Sequence, residues 1–381
     1  MRVDEAKKAS PAASGAKLPN HIGEAWPRPW IYISCYLAYA AWYIARDWRI
    51  LSFPNDYVWG ELFINYQAGF IRRGLFGQIL WLIEPYADIR LFALVLVTVV
   101  FFCLVAIAYR QCLTAFGKLP TLLFLVWPSY FLFIVKDAGG FLRRDSLVDL
   151  IILLATVAIA DAWMRKSSIF PVSALFAVLF CFSCLLFEAA IFYWPLPCVL
   201  LGLLFWRAGH TRLWFAFSFI LFAAALFYAF RFPGTEEMGR AIYSGWQSVI
   251  PDFTNAGGMR FLGRSMTDNA LATLSHLSNI VTATSVVGAF ILALLPLLAL
   301  SLAFPLLAVC KRIFHGWRLP ILILAFLSPF VICVVADDYG RRFSMLGLNY
   351  LFFFIAIQRI EPSAPRAWLK KLEDSFASSV K

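Results

Sequence analysis

The sequence predicts an all-α integral membrane protein of about ten transmembrane helices, with interfacial helices in the first long outer loop. Three observations carry that reading: composition, the length of the apolar runs, and the sidedness of charge. Of 381 residues, 62% are hydrophobic, 17% aromatic and only 14% charged, with a mean hydropathy of +0.77. A typical soluble chain is about a quarter charged, so a soluble fold of this size could not cover so much apolar side chain. The same arithmetic excludes a disordered chain, a secreted disulfide scaffold and a coiled coil.

Residues 1–29 read as a polar cytoplasmic tail without order. The first apolar run starts near Trp30, too late and too aromatic for a cleaved signal peptide. A spanning helix needs about 20 apolar residues. Runs near that length fall at 30–46, 90–109, 120–136, 147–163, 170–187, 190–206, 213–231, 285–309, 319–336 and 345–359, so that 30–359 forms one polytopic domain. The pair 170–187 and 190–206 can also be drawn differently. With the N-terminus inside, the cytoplasmic segments hold 19 Lys+Arg against 7 Asp+Glu, and the other side holds 14 against 15. The positive-inside rule therefore puts both termini in the cytoplasm. The net charge of +11 is thus a mark of topology, and no nucleic-acid partner is expected. Residues 360–381, with Lys370 and Lys371, read as an amphipathic tail on anionic lipid.

The outer face is built differently, with two long loops at 47–89 and 232–284. Glu61 to Glu84, ELFINYQAGFIRRGLFGQILWLIE, is aromatic-rich and interrupted by glycines. One or two interfacial helices or a re-entrant hairpin suit it better than a span. The second loop has Gly, Asn and Asp around Pro251 to Gly258, then an amphipathic stretch from Asn269 to Ile280.

Three outer elements carry paired arginines where the sidedness rule predicts few: Arg72–Arg73 in GFIRRGLF, Arg143–Arg144 in GFLRRDSL and Arg341–Arg342 in DDYGRRFS. GMRFLGRS adds Arg260 and Arg264. Singly, such pairs anchor helices by snorkelling. Together they suggest an anion site, because guanidinium groups bind phosphate bidentately and stay charged. A lipid phosphate or diphosphate fits the apolar, aromatic first loop. Acids share the face: Asp56, Glu61, Asp137, Asp145, Asp149, Glu188, Asp337 and Asp338. An acid inside the membrane is a functional candidate, although Asp145, Asp149 and Asp338 equally suit ion pairs that hold helices together. No metal site or cofactor is expected, with one opening: Asp337–Asp338 could ligate Mg2+. The eight cysteines form no disulfide framework, and Cys181-x-x-Cys184 lies inside a Phe-rich span without a partner pair. No HExxH, nucleophile elbow, Walker loop or dinucleotide fingerprint is present.

NDYVWGE, GFIRRGLFG and DDYGRRF, set in this layout, resemble bacterial membrane enzymes of envelope-polysaccharide assembly. The order of a span, a long outer loop with an acid and interfacial helices, then many spans is similar to the C-type glycosyltransferase superfamily. Arginines in outer loops are similar to those of O-antigen polymerases. The chain departs from the C-type pattern in lacking a close Asp-x-Asp or Asp–Glu pair after the first span. The resemblance implies transfer of a glycan from a polyprenyl phosphate or diphosphate carrier at the outer face of the inner membrane, with other envelope-assembly proteins as possible partners. On that reading Arg72, Arg73, Arg143, Arg144, Arg341 and Arg342 hold the phosphate. Asp145, Glu188, Asp337, Asp338, Arg260 and Arg264 support it, and Asp56, ahead of Glu61, deprotonates the acceptor. A flippase of lipid-linked glycan and a non-catalytic membrane subunit are the other classes.

Overall fold

A computed structural model describes residues 56–136, 143–253, 256–262, 280–335 and 339–379, with isolated positions between them. The chain is an all-α membrane protein, and no strand occurs among the described residues. Six helices are long and apolar enough to cross a membrane: α3 (Ile89–Phe116), α6 (Asp145–Arg165), α7 (Ile169–Leu186), α9 (Thr211–Arg231), α11 (Ile280–Ala303) and α14 (Tyr339–Ile360). Three shorter apolar elements stand among them: the broken pair α4 (Lys118–Val126) and α5 (Phe131–Lys136), α8 (Pro195–Arg207) and α13 (Arg318–Val335). The remaining expected span, 30–46, lies outside the described residues except at isolated positions, as does the 1–29 tail.

Helices dominate because a backbone in lipid must satisfy its own hydrogen bonds. Where they break, the freed groups are met by neighbours. Pro128 stops the run that began at Lys118, and Trp127 turns extended. Pro296, inside α11, has no N–H for the carbonyl of Leu292. The Trp127 indole donates to that carbonyl at 2.6 Å, and Tyr130 donates to Ala293 O at 2.8 Å. Pro329 likewise frees the carbonyl of Ala325, which lies 2.8 Å from the Ser328 hydroxyl and shares its single proton with Phe192 O.

The two apolar runs at 170–187 and 190–206 are joined by a buried 3-10 turn, Glu188–Phe192, not by a surface loop. Its carbonyls are satisfied from other helices. Ser328 donates to Phe192 O at 2.8 Å and Asn349 donates to Tyr193 O at 2.6 Å. The 13 residues of α8 rise about 20 Å, some 10 Å short of a hydrocarbon layer of about 30 Å.

Helices α6 and α14 pack together at the centre. In α14, 89% of the apolar stretch is buried, against 17% in α9, which faces outward. One end of the bundle is basic and tied by short connections. Arg359 pairs with Asp161 and donates to Gln111 at 3.0 Å, Arg312 pairs with Glu361 at 2.8 Å, and Arg207 caps Trp163 O at 2.8 Å. Helices α12 (Leu306–Ile313) and α15 (Ala367–Ser379) lie at this end, where Arg366 N bonds Ala303 O at 2.9 Å.

The opposite end carries the described parts of both long loops, folded into one lobe. It contains α1 (Asp56–Leu62), α2 (Leu75–Ile83), α10 (Glu236–Val249) and a 3-10 turn, Gly257–Phe261. Its core is aromatic. The Phe63 ring stacks on Trp246 at 4.4 Å and meets Phe253 edge-on at 5.4 Å, and the Trp246 indole donates to Phe63 O at 2.7 Å. Gly60 makes the closest loop-to-loop approach, since a Cβ there would lie 2.4 Å from Ala256 O. The two helices in the first loop match expectation. Helix α10 does not, because the sequence reading left 232–250 as loop. The signal was present: Thr235 caps the helix by accepting from Met238 N at 3.1 Å, with Glu236 and Glu237 in the first turn. The expected amphipathic stretch from Asn269 to Ile280 lies outside the described residues except at isolated positions.

Candidate functional site

The three arginine pairs, far apart in sequence, meet under the lobe. Helices α6 and α14 both begin there. Arg144 is the N-cap of α6 with Asp145 in its first turn, and Arg341 and Arg342 sit in the first turn of α14. Two helix N-termini thus add partial positive charge to the guanidinium groups.

The Arg72–Arg73 segment is held by its backbone. Arg73 adopts a left-handed conformation at φ 58°, uncommon for a residue with a side chain. Arg144 fixes it: one guanidinium nitrogen donates to Arg73 O at 2.7 Å and to Leu186 O at 2.9 Å. Arg72 N bonds Phe232 O at 2.9 Å, and Tyr228 donates to Ile71 O at 3.2 Å. Gly74, next in line, leaves room for the Tyr66 ring, which a Cβ would meet at 2.3 Å.

The side chains then form one alternating chain of charge: Asp145, Arg341, Glu61, Arg73, Glu188, Arg72. Arg341 lies 3.4 Å from Asp145 and 3.7 Å from one oxygen of Glu61, while Arg73 lies 3.7 Å from the other. Arg73 also bonds Glu188, which sits 3.8 Å from Arg72. Every inner member is shared by two partners. All of this is sheltered from water: Glu61 is 7% exposed and Arg72 4%.

Burial alone would raise the carboxyl of Glu61. Arg341, Arg144, Arg143 and Arg73 outweigh it and hold the group at about 2. At Glu188 burial is likewise outweighed by Arg73 and Arg72, again to about 2. Arg342 lies over the Phe187 ring at 4.9 Å. Asp149, one turn below Asp145, is buried, and its Oδ2 has no hydrogen-bond partner among the described residues. Among the described side chains the arginines outnumber their carboxylate partners Glu61, Glu188 and Asp145.

The sequence reading assigned all six arginines to one task, and five of them differ in the contacts they make. Arg144 is committed to two carbonyls, Arg72, Arg73 and Arg341 to the ion-pair chain, and Arg342 to an aromatic face. Of the supporting acids, Glu188 and Asp145 join the chain. Asp56 stands at the start of α1, five residues before Glu61, but its side chain lies outside the described residues, as does that of Arg260. Asp137, Asp337, Asp338 and Arg264 also lie outside them. Among the described residues, no three His, Cys, Asp or Glu side chains are grouped to hold a metal ion. Sequence reasoning missed Phe187 and Gly258, which presses on Glu61: a Cβ at Gly258 would meet Glu61 Cγ at 2.6 Å. The repeated Gly in Asn-Ala-Gly-Gly was its signal. No family model matches the chain, and neither a curated protein nor a solved structure does.

Proposed function

We propose that the protein is a glycosyltransferase or polysaccharide polymerase that takes a glycan from a polyprenyl phosphate or diphosphate carrier. It would act at the outer face of the inner membrane, with both termini in the cytoplasm and with other envelope-assembly proteins as possible partners. The observation that carries this reading is the ion-pair chain with Arg144 and Arg342 beside it, buried between an apolar bundle and an aromatic lobe at the less basic end. A phosphate joined to an isoprenoid tail needs both cations and an apolar approach. The reaction is displacement at the anomeric carbon. The acceptor oxygen bonds that carbon, the bond from carbon to phosphate oxygen breaks, and its electron pair leaves on the phosphate. Arg73 and Arg341 stabilise the departing charge, and Glu61 takes the acceptor proton. Glu61 is a weak base while both arginines hold it, so phosphate binding must draw them off first.

A transporter of the same lipid-linked glycan is the second reading. It draws on Asp149, a buried acid below the cluster, of the kind found on ion and proton paths. One experiment tests both. In lipid nanodiscs, polyprenyl diphosphate binding is followed by native mass spectrometry for wild type, Arg73→Ala and Arg342→Ala, and turnover of a lipid-linked glycan for wild type and Glu61→Gln. Selective binding lost in both arginine variants, with turnover lost in Glu61→Gln, supports the transferase. Binding no tighter than to bulk anionic lipid overturns it. Binding with transbilayer movement but no new glycosidic bond favours the transporter.

A further inference from the structure

The lobe contains a second feature that the ion-pair chain does not use. A cavity of about 310 Å³ opens beside α10, lined by Glu236, Gly239, Arg240, Tyr243, Ala256 and Met259. Its lining divides in two. Tyr243, Gly239, Ala256 and Met259 offer an aromatic ring and small or apolar surface. Glu236 and Arg240, 3.5 Å apart and largely exposed, supply acceptors and donors at the rim. Tyr243 is braced: Gln247 donates to its hydroxyl at 2.7 Å, and its ring meets Phe253 edge-on at 5.4 Å. A braced aromatic keeps its face available without first losing rotamer freedom.

That division matches the two faces of a pyranose. Its axial C–H groups pack on an aromatic ring, and its radial hydroxyls both donate and accept, as a paired carboxylate and guanidinium require. A phosphate does not suit the cavity, because Glu236 stands at the rim. A lipid tail does not suit it either, because the rim is ionic.

Position ties the cavity to the cluster. Ala256 and Met259 face the cavity while Gly258, between them in sequence, packs on Glu61. One backbone segment is therefore the wall between the two. Gly239 closes the other side, where a Cβ would lie 2.7 Å from Met259 O. We propose that this cavity binds a saccharide unit of the acceptor glycan, one peptide thickness from the carboxylate that faces the phosphate site. The assignment to the acceptor rests on the glycan-transfer reading.

The test needs no turnover. Saturation-transfer NMR is recorded on the full chain in nanodiscs with glucose, galactose, N-acetylglucosamine and glucuronic acid at millimolar concentration. Wild type is compared with Tyr243→Ala, Arg240→Ala and the conservative Tyr243→Phe. Polyprenyl diphosphate binding is measured on the same preparations. The expected result is transfer to at least one sugar in wild type and in Tyr243→Phe. It should be about twofold to tenfold weaker in Tyr243→Ala, the range an aromatic face contact supplies, and weaker also in Arg240→Ala, with diphosphate binding unchanged. No transfer to any of the four sugars, or equal transfer in wild type and both alanine variants, overturns the proposal. Sugar transfer that follows the expected pattern without diphosphate binding upholds the saccharide site and sinks the phosphate reading instead.

Discussion

The alternating chain makes a quantitative prediction about acid. Glu61 and Glu188 each sit at about 2, against an ordinary value of 4.5. A shift of that size corresponds to about 3 kcal/mol for each group. Their side chains are only 9% and 12% exposed, so water screens little of it. The sign follows from the direction. A carboxyl depressed by folding contributes its full stabilisation above its unfolded value and loses it as pH falls toward the folded one. Between pH 6 and pH 3 each group should therefore forfeit about 2 kcal/mol. The two share Arg73, so their losses will not add in full. The assay is unfolding of wild type, Glu61→Gln and Glu188→Gln in nanodiscs at both pH values. Other carboxylates titrate in all three proteins and cancel in the difference. Glu61→Gln should lose about 2 kcal/mol less than wild type on acidification, and Glu188→Gln a similar amount less. An equal loss in wild type and Glu61→Gln would show that Arg73 and Arg341 do not hold Glu61, and the ion-pair chain would fall with it.

Arg144→Ala should cost about 2–6 kcal/mol, because it leaves the buried carbonyls of Arg73 and Leu186 without a donor; chemical unfolding measures it, and faster hydrogen exchange around residues 72–74 would trace it to this loop. Gly60→Ala should lower stability by about 1–3 kcal/mol, since its new Cβ would meet backbone at Ala256 and Gly258. Gly288→Ala is the comparison: nothing lies within 4 Å of its Cβ position, so a gain of up to about 1 kcal/mol is expected, with both glycine variants read by chemical unfolding. If Glu61 is the base, kcat/KM should stay flat down to about pH 4, reporting the free site, while kcat falls at higher pH because phosphate has drawn Arg73 and Arg341 away. Turnover of a lipid-linked glycan from pH 4 to pH 8 checks this, and parallel profiles count against it.

The sequence made the bundle legible because lipid imposes a strong rule: about 20 apolar residues per crossing and little charge between. It also made the meeting of the arginine pairs legible, since each stood beside glycines on the side where basic residues are scarce. The exceptions have physical causes. Runs 170–187 and 190–206 read as two separate spans, but not as joined by a 3-10 turn, because the polar atoms that satisfy that turn come from Ser328 and Asn349, more than a hundred residues away. No local pattern records such partners. Helix α10 carries a plain start signal at Thr235 to Glu237, but its apolar face meets Phe63 and Met259 rather than lipid, so a search tuned to long apolar runs passes over it. The preference for Asp56 over Glu61 rested on position in a loop alone. The Asp56 side chain lies outside the described residues, and the burial of Glu61 between two arginines is a tertiary fact that no local pattern records.

A cluster of arginines this deep cannot stand empty without cost, because removing a buried ion's partner destabilises a fold by about 3–5 kcal/mol. Glu61, Glu188 and Asp145 meet that cost by standing between the guanidinium groups. Sharing is what makes the arrangement reversible. If an incoming phosphate captures Arg73, Glu61 still has Arg341 and Glu188 still has Arg72. If it captures Arg341 as well, Glu61 becomes the member of the chain left with neither of its ion-pair partners, and its basicity must rise. Asp145, at the end of the chain, then stays in the field of Arg144 at the N-terminus of α6. The same connectivity that balances the buried arginines therefore singles out one carboxylate, beside Gly258 and the lobe, as the group that a bound phosphate would release.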